Sequence, residues 1–223
     1  MPKFVDAALR RQEVVEAVFR IIAADGLERA SLREVADEAE LAVGSVRHYF
    51  ASSDELLTYS FGVVVDRVVG RLTAADDRLG QLPPGTAEHH DAVLTLLGEL
   101  LPLDEERAVD ACVWMAFKNA ARTRPFLAAE ADRSHRAVAA VMGRLVMELS
   151  AGADAGDGAG QPGPSAPDRR RLVTEAERLL ATLDGLTMHA LLQPEWMTAQ
   201  MCRDVLETHL AGLDGPERAI NLN

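Results

Sequence analysis

The chain has 223 residues, of which 48% are apolar and 26% charged, with a formal net charge of −12. That length holds one good core or a small domain joined to a larger one, and the apolar fraction excludes a disordered chain. The acidity excludes wholesale coating by nucleic acid, which requires clustered Lys and Arg to release counterions from phosphates, so any such contact must come from a local patch.

No basic opening followed by an apolar run begins the chain, and charges such as Asp66 interrupt the apolar stretches before about 18 residues. A soluble, cytoplasmic protein without a membrane span is expected. Cys112 and Cys202 lie far apart with no second ligand at metal spacing, which predicts free, mostly buried thiols and neither metal nor cofactor. Long stretches of Ala, Leu, Arg and Glu predict an all-α fold of about nine helices.

In chain order, Val14, Val15, Val18, Ile21 and Ile22 recur at helical spacing, and Gly26 follows as a C-cap, giving a helix over about 10–25. Ser31 and Glu34 form a capping-box pattern that opens a short helix ending near Glu38. After a three-residue turn comes a second short helix, 42–49, and Ser52 or Ser53 then caps a long one with Leu57, Phe61, Val64, Val68 and Leu72 on one stripe. Two short helices joined by such a turn predict a helix-turn-helix. Further helices are expected near 86–101, 104–122 and 125–150, the last with Pro125 in its first turn.

The segment 151–167 is Ala, Gly or Pro at 13 of its 17 positions, too little apolar bulk to offset ordering entropy, and is expected to be a flexible loop. Two last helices follow, about 168–193 and 197–213, separated by Pro194. Between Leu179 and Leu192 only Asp184 is charged, so that helix needs burial on more than one side, most simply against a second copy.

The region 10–57 resembles the DNA-binding domain of the tetracycline-repressor (TetR) family. The residues that carry the likeness are Gly26 closing the first helix, ASLREVADEA in the second, GSVRHYF in the third and SSDELL opening the fourth. The pieces WMAFKNAARTRPFL and LLATLDGLTMHALLQPEWMT are similar to the C-terminal ligand-binding domain of betaine-regulator (BetI-type) members. The resemblance implies a DNA-binding helix-turn-helix domain over 1–52 and a ligand-binding and dimerisation domain over 53–223. It further implies a double-stranded DNA operator, a small-molecule effector and a homodimer formed through the last two helices.

A two-turn third helix fits the major groove with its N-terminal residues against base edges. Ser45, Arg47 and His48 are the candidate contacts, with Val43 at the opening of that helix. Tyr49, Ser52 and Ser53, together with Ser31 and Arg33 from the second helix, suit phosphate positioning. Val43 also reads as a packing residue, as do Val46 and Phe50. From Met1 to Phe50 seven positive residues face nine negative ones, a balance of −2, yet 41–53 carries no acid at all. Against the family pattern, Glu40 stands where the turn usually has Gly, Ala42 where the third helix opens with a hydroxyl, and Ser53 where the fourth opens with Lys. Glu40 is therefore expected to hold a left-handed backbone at a cost of about 1 kcal/mol.

In the larger domain Phe61, Trp114, Met115, Phe117, Met142, Met188 and His189 are candidate walls of a ligand cavity, with Asn119 and His135 as polar points, although core packing accounts for the same residues. Trp196 is expected to fix the corner between the last two helices or to close the pocket. Glu88, His89, His90 and Asp91 are adjacent on one helix and point different ways, so no metal site is read there. No local hydrolase, zinc-protease or P-loop motif appears, so an enzyme is not expected. The competing function is a helical adaptor that binds protein and makes no sequence-dependent DNA contact.

Overall fold

The computed structural model describes residues 7–154 and 166–212. The described residues form nine α-helices. They are α1 (Ala7–Asp25), α2 (Leu32–Glu38), α3 (Val43–Tyr49), α4 (Ser53–Leu79), α5 (Ala87–Gly98), α6 (Glu105–Ala121), α7 (Ala128–Asp154), α8 (Ala166–Leu192) and α9 (Ala199–Ala211). Single 3-10 turns at Leu27–Arg29 and Pro125–Leu127 complete the set.

Several boundaries differ from the sequence reading, with α1 starting at Ala7 and α5 ending at Gly98. Pro125 opens a 3-10 turn, and α7 begins only at Ala128. Leu127 is buried under that turn, and one tight turn brings it inward before the helix sets off. Of the expected 151–167 loop, residues 151–154 continue α7 and 166–167 open α8, with Pro167 in the first turn where a missing N–H costs nothing; 155–165 lie outside the described residues.

The chain folds into two compact units. Of the described residues, one comprises 7–70 and 104–135, the other 71–103, 136–154 and 166–212. In the first, α1 buries Val14, Val15, Ala17, Val18, Phe19, Ile21 and Ile22, a stripe wide enough to serve α2 on one side and α6 on another. Phe61 of α4 and Phe117 of α6 are fully buried and stack at 4.9 Å between ring centroids. Arg67 of α4 reaches Glu16 of α1, lies over the Phe19 ring at 4.9 Å, and stands 3.6 Å from Asp110 of α6, a carboxylate only 1% exposed. A buried carboxylate of this kind needs its cation, so the triad fixes α1 and α6 on α4.

In the second unit the end of α4 supplies Leu72, Ala75 and Leu79, and α5 supplies Val93, Leu94, Leu96 and Leu97. Val138, Val141, Met142, Leu145 and Val146 of α7 repeat at helical spacing, as do Leu179, Leu183, Leu186 and Ala190 of α8. Thr187 of α8 donates its hydroxyl to the Leu100 carbonyl at 3.1 Å, and His89 of α5 meets Glu148 of α7 at 2.9 Å. Helix α9 closes the unit through Cys202, Leu206 and Leu210.

Candidate DNA-reading head and effector core

Three helix starts place the reading head. Ser31 caps α2 by accepting from the Glu34 N–H at 3.2 Å, while the Glu34 carboxylate turns to Arg29 instead of reaching back. On α4 both partners engage, the carboxylate reaching one residue past the cap: Ser52 accepts from the Glu55 N–H at 3.1 Å, and Glu55 accepts from the Ala51 N–H at 2.8 Å. Helix α3 has no side-chain cap, because Ala42 has no oxygen to offer. It is held from below by Val46 and Phe50, both buried, with Phe50 tilted against Tyr59 at 5.4 Å.

The residues named from the sequence as DNA contacts divide by exposure. Ser31, Arg33, Ser45, Arg47, His48 and Ser52 are exposed, whereas Val43, Tyr49 and Ser53 are half-buried. The His48 and Tyr49 rings meet edge to face at 5.2 Å, which couples their orientations. The hydroxyls of Ser31 and Ser52 already accept cap bonds, yet each keeps its O–H to donate to a phosphate oxygen.

Five acids of the head are held in ion pairs. Glu13 pairs with Arg10, Glu38 with Arg20, Glu34 with Arg29, Glu16 with Arg67 and Glu28 with Arg124. Among the described residues of the head, Arg11, Arg33 and Arg47 make no ion pair, and neither do Asp25, Asp37 and Glu40. Arg11 instead lies 6.0 Å from the Phe50 ring centroid.

The turn between α2 and α3 is a Schellman motif. The Leu41 N–H donates to the Ala36 carbonyl at 2.8 Å and the Glu40 N–H to the Asp37 carbonyl at 3.1 Å. That pair of bonds forces Glu40 to φ 54°, and among the described residues it alone departs to positive φ without being glycine. The geometry expected from the sequence is thus present, imposed by the cap.

An exposed two-turn helix, presented by a capped partner helix across a tight turn, is the arrangement of a DNA-reading helix-turn-helix. A model of the bacterial regulatory proteins of the tetR family matches residues 14–59, and one of the BetI-type transcriptional repressor C-terminal domain matches 89–215. The HTH-type transcriptional regulator PksA of Bacillus subtilis is 33% identical over 96% of this chain and 94% of its own length. The chain belongs to the TetR family of transcriptional regulators.

HTH-type transcriptional regulator BetI of Vibrio campbellii is 24% identical over 94% of each chain. A transcriptional regulator of Rhodococcus, solved by crystallography, superposes with a TM-score of 0.68 at 28% identity, covering 93% of this chain and 99% of that one. This chain is thus a ligand-responsive, DNA-binding regulator by family, and among its described residues no helix is long and apolar enough to cross a membrane.

The effector side of this TetR regulator departs from the sequence reading in several places. Phe61, Trp114 and Phe117 are buried and Met115 is half-buried, all in the first unit; Met142 is buried in the second. Met188 and His189 are exposed, as are the expected polar points Asn119 and His135. On α8 the inward positions are Leu183, Leu186, Thr187 and Ala190, which leaves 188 and 189 on the outer face at 100° per residue. In their place, two polar groups missed by the sequence reading are fully buried: the hydroxyls of Ser60 and Ser134 have no hydrogen-bond partner. Buried hydroxyls are normally paired, so two orphans in one unit depart from the usual pattern. Only their burial reveals them, since serine in a helical sequence carries no such signal.

The first unit also has an open groove of about 640 Å³ lined by Glu55, Thr58, Tyr59, Gly62, Val63, Asp66, Glu130 and Arg133. Arg133 bridges its walls, bonding Asp66 at 2.7 Å, Glu130 at 2.8 Å and the Gly62 carbonyl at 3.2 Å. The aromatic candidates do not line it.

Of the Glu88–Asp91 run, His89 turns inward to Glu148 while Asp91 goes to Arg203 at 2.7 Å, so the side chains diverge as helical spacing requires. Both cysteines are free, Cys202 buried and Cys112 half-buried, and burial pushes both thiols up, keeping them protonated. Trp196 is 71% exposed on the α8–α9 turn, so it does not fix the corner within one chain. With Met188 at 40%, Leu192 at 70% and Met201 at 38% exposed, it forms an apolar region at this end of α8 and α9.

Proposed function

We propose that this regulator is a homodimeric repressor, released from its operator by a small molecule, that reads DNA with residues 1–52 and uses 53–223 for effector binding and dimerisation. The observation that carries the reading is the exposure of Ser45, Arg47 and His48 on a helix seated by Val46 and Phe50, in a head whose acids are largely committed to ion pairs. Arg47 forks onto a guanine edge or a phosphate, Ser45 and His48 donate or accept at base edges, and Val43 packs on a thymine methyl. Ser31, Arg33, Tyr49, Ser52 and Ser53 hold phosphates on either side.

The dimer forms through α8 and α9. What supports this is the apolar region of Met188, Leu192, Trp196 and Met201, which a lone chain leaves in water. Two recognition helices then stand about 34–36 Å apart, on successive major grooves of one DNA face. The effector enters the first unit at the Phe61, Trp114, Met115 and Phe117 cluster, with the Ser60 and Ser134 hydroxyls as its polar anchors. It lowers DNA affinity by its preference for the released state, since only differential affinity shifts such an equilibrium. As in its family, the chain's work is binding and not turnover, and its place is the cytoplasm.

The test is selection of a duplex from a random pool, followed by footprinting and measurement of solution mass. Two half-sites with centres about 10 base pairs apart, protected by a dimer, are expected. A monomer in solution, or retention of all duplexes alike, overturns the reading; the latter together with capture of a protein partner favours an adaptor. A metabolite library screened for loss of the shift, with Trp114 fluorescence followed in a Trp196→Phe background, locates the effector.

A further inference from the structure

We propose that Glu40 is a brake on DNA affinity: a carboxylate fixed by the fold at the threshold of the recognition helix, where it repels the phosphate backbone and limits how tightly the operator is held. The inference rests on the DNA-reading function proposed above and adds a residue that sets its strength.

The Schellman motif that ends α2 requires a left-handed residue, and Gly, or less often Asn, fills that position without strain. Glu40 fills it at φ 54°. Neither packing nor pairing compensates for the strain. The residue is exposed, makes no ion pair, and its hydrogen bonding is through the backbone. A side chain that adds strain and makes neither a hydrogen bond nor an ion pair within the chain points to a consequence outside it.

Its location says where. Glu40 precedes Ala42, the N-cap of α3, by two residues, so the two Cα atoms lie within about 7.6 Å of each other. The N-terminal end of a recognition helix is the end that enters the major groove, with phosphates on both rims. The Glu40 carboxylate therefore acts within about one Debye length, roughly 8–10 Å, of those phosphates at ordinary salt. The cations available against it are few. Arg20 and Arg29 are committed to Glu38 and Glu34, which leaves Arg11, Arg33 and Arg47 as the unpaired cations among the described residues of the head. With Asp25 and Asp37, Glu40 brings the unpaired acids among the described residues of the head to three, equal to those cations, and Glu40 is the one two residues before the α3 cap.

Strain and charge separate by mutation. Glu40→Gln removes the charge and keeps a side chain ill-suited to positive φ; Glu40→Asn removes the charge and relieves the strain. Asp25→Asn removes an equal, unpaired charge at the far end of α1, next to the 3-10 turn that packs on α6. The probe is a 30-base-pair duplex selected from a random pool by the wild-type chain, titrated by fluorescence anisotropy at about 0.05 and 0.2 M salt. Glu40→Gln and Glu40→Asn are expected to bind about 3- to 10-fold tighter at the lower salt, with the gain shrinking at the higher. Asp25→Asn is expected to change binding less than about twofold, as it stands at the end of α1 beside the turn that packs on α6 and not beside α3. Glu40→Asn alone is expected to raise Tm, by about 2–4 °C. Unchanged affinity of Glu40→Gln on a duplex that the wild type binds overturns the brake while leaving the DNA reading standing. So does an equal gain from Asp25→Asn, which would make the effect one of net charge. Failure of the wild type to retain any duplex overturns the DNA reading and the brake together.

Discussion

Helices α3 and α8 leave residues in water for opposite reasons. α3 has seven residues, of which Val46 alone is buried, and its outward side chains are Ser, Arg and His. α8 has 27 residues and a full inward stripe, yet still leaves Val173, Met188 and Leu192 exposed. A polar exposed face on a short, well-anchored helix is complementary to hydrated phosphates and base edges. An apolar exposed face on a long helix is complementary to another apolar face. Burial within one chain separates a polar surface, proposed above to meet DNA, from an apolar one, proposed to meet a second copy.

The comparison breaks most visibly at α8. The pair Met188→Glu and Leu192→Glu places like charges across a two-fold interface, and the expected outcome is a monomer by sedimentation at concentrations where the wild type is a dimer, with operator affinity down at least 100-fold. Far-UV circular dichroism should be unchanged, because both side chains are outside the core. Next in size is the anchor of α3. Phe50→Ala empties a site that is 2% exposed and should lower unfolding free energy by about 3–5 kcal/mol in a denaturant titration.

A smaller and sharper effect belongs to Arg47→Ala, which removes an exposed side chain that makes no ion pair. Stability should stay within about 0.5 kcal/mol, while DNA binding weakens by about 1–3 kcal/mol. A salt slope reduced by about one would assign Arg47 to a phosphate, and relaxed preference at one base pair would assign it to a base.

The least effect is expected from His209 of α9. Burial and the nearby Arg178 cation hold its pKa below the ordinary 6.5, with Glu175 opposing. The unfolded chain then takes up the proton first as pH falls, so this contribution to stability is whole above about pH 6.5 and is lost as pH falls toward and through the folded pKa. His209→Gln should flatten the dependence of Tm on pH between about 7 and 5; a profile identical to wild type would remove His209 as its source.

Much of the fold was legible in the sequence because its signals are local. Gly26, the Ser31 cap, the 3.6-residue stripes of α1, α4 and α8, and the misplaced Glu40 each declare themselves within one or two helical turns. On the DNA side the sequence placed the short α3 and its exposed Ser45, Arg47 and His48, because a short helix is a contiguous segment. The effector side was less legible. Whether Met188 faces in or out depends on the rotation of α8 against its neighbours, and an error of one position carries a side chain through 100°. Ser60 and Ser134 gave no sign at all, because an unpaired hydroxyl is a property of what surrounds it.

The sequence by itself determined that this chain is helical, that a short helix-turn-helix opens it, and that α8 carries more apolar surface than one chain covers. Each follows from the spacing of side chains along a single helix. Only the tertiary structure decided how the acids of the head are neutralised, since Arg67 and Arg124 come from outside the head to pair with Glu16 and Glu28. It also decided which apolar residues remain in water. Charge pairing and burial depend on distances between segments far apart in the chain, and no local pattern encodes those.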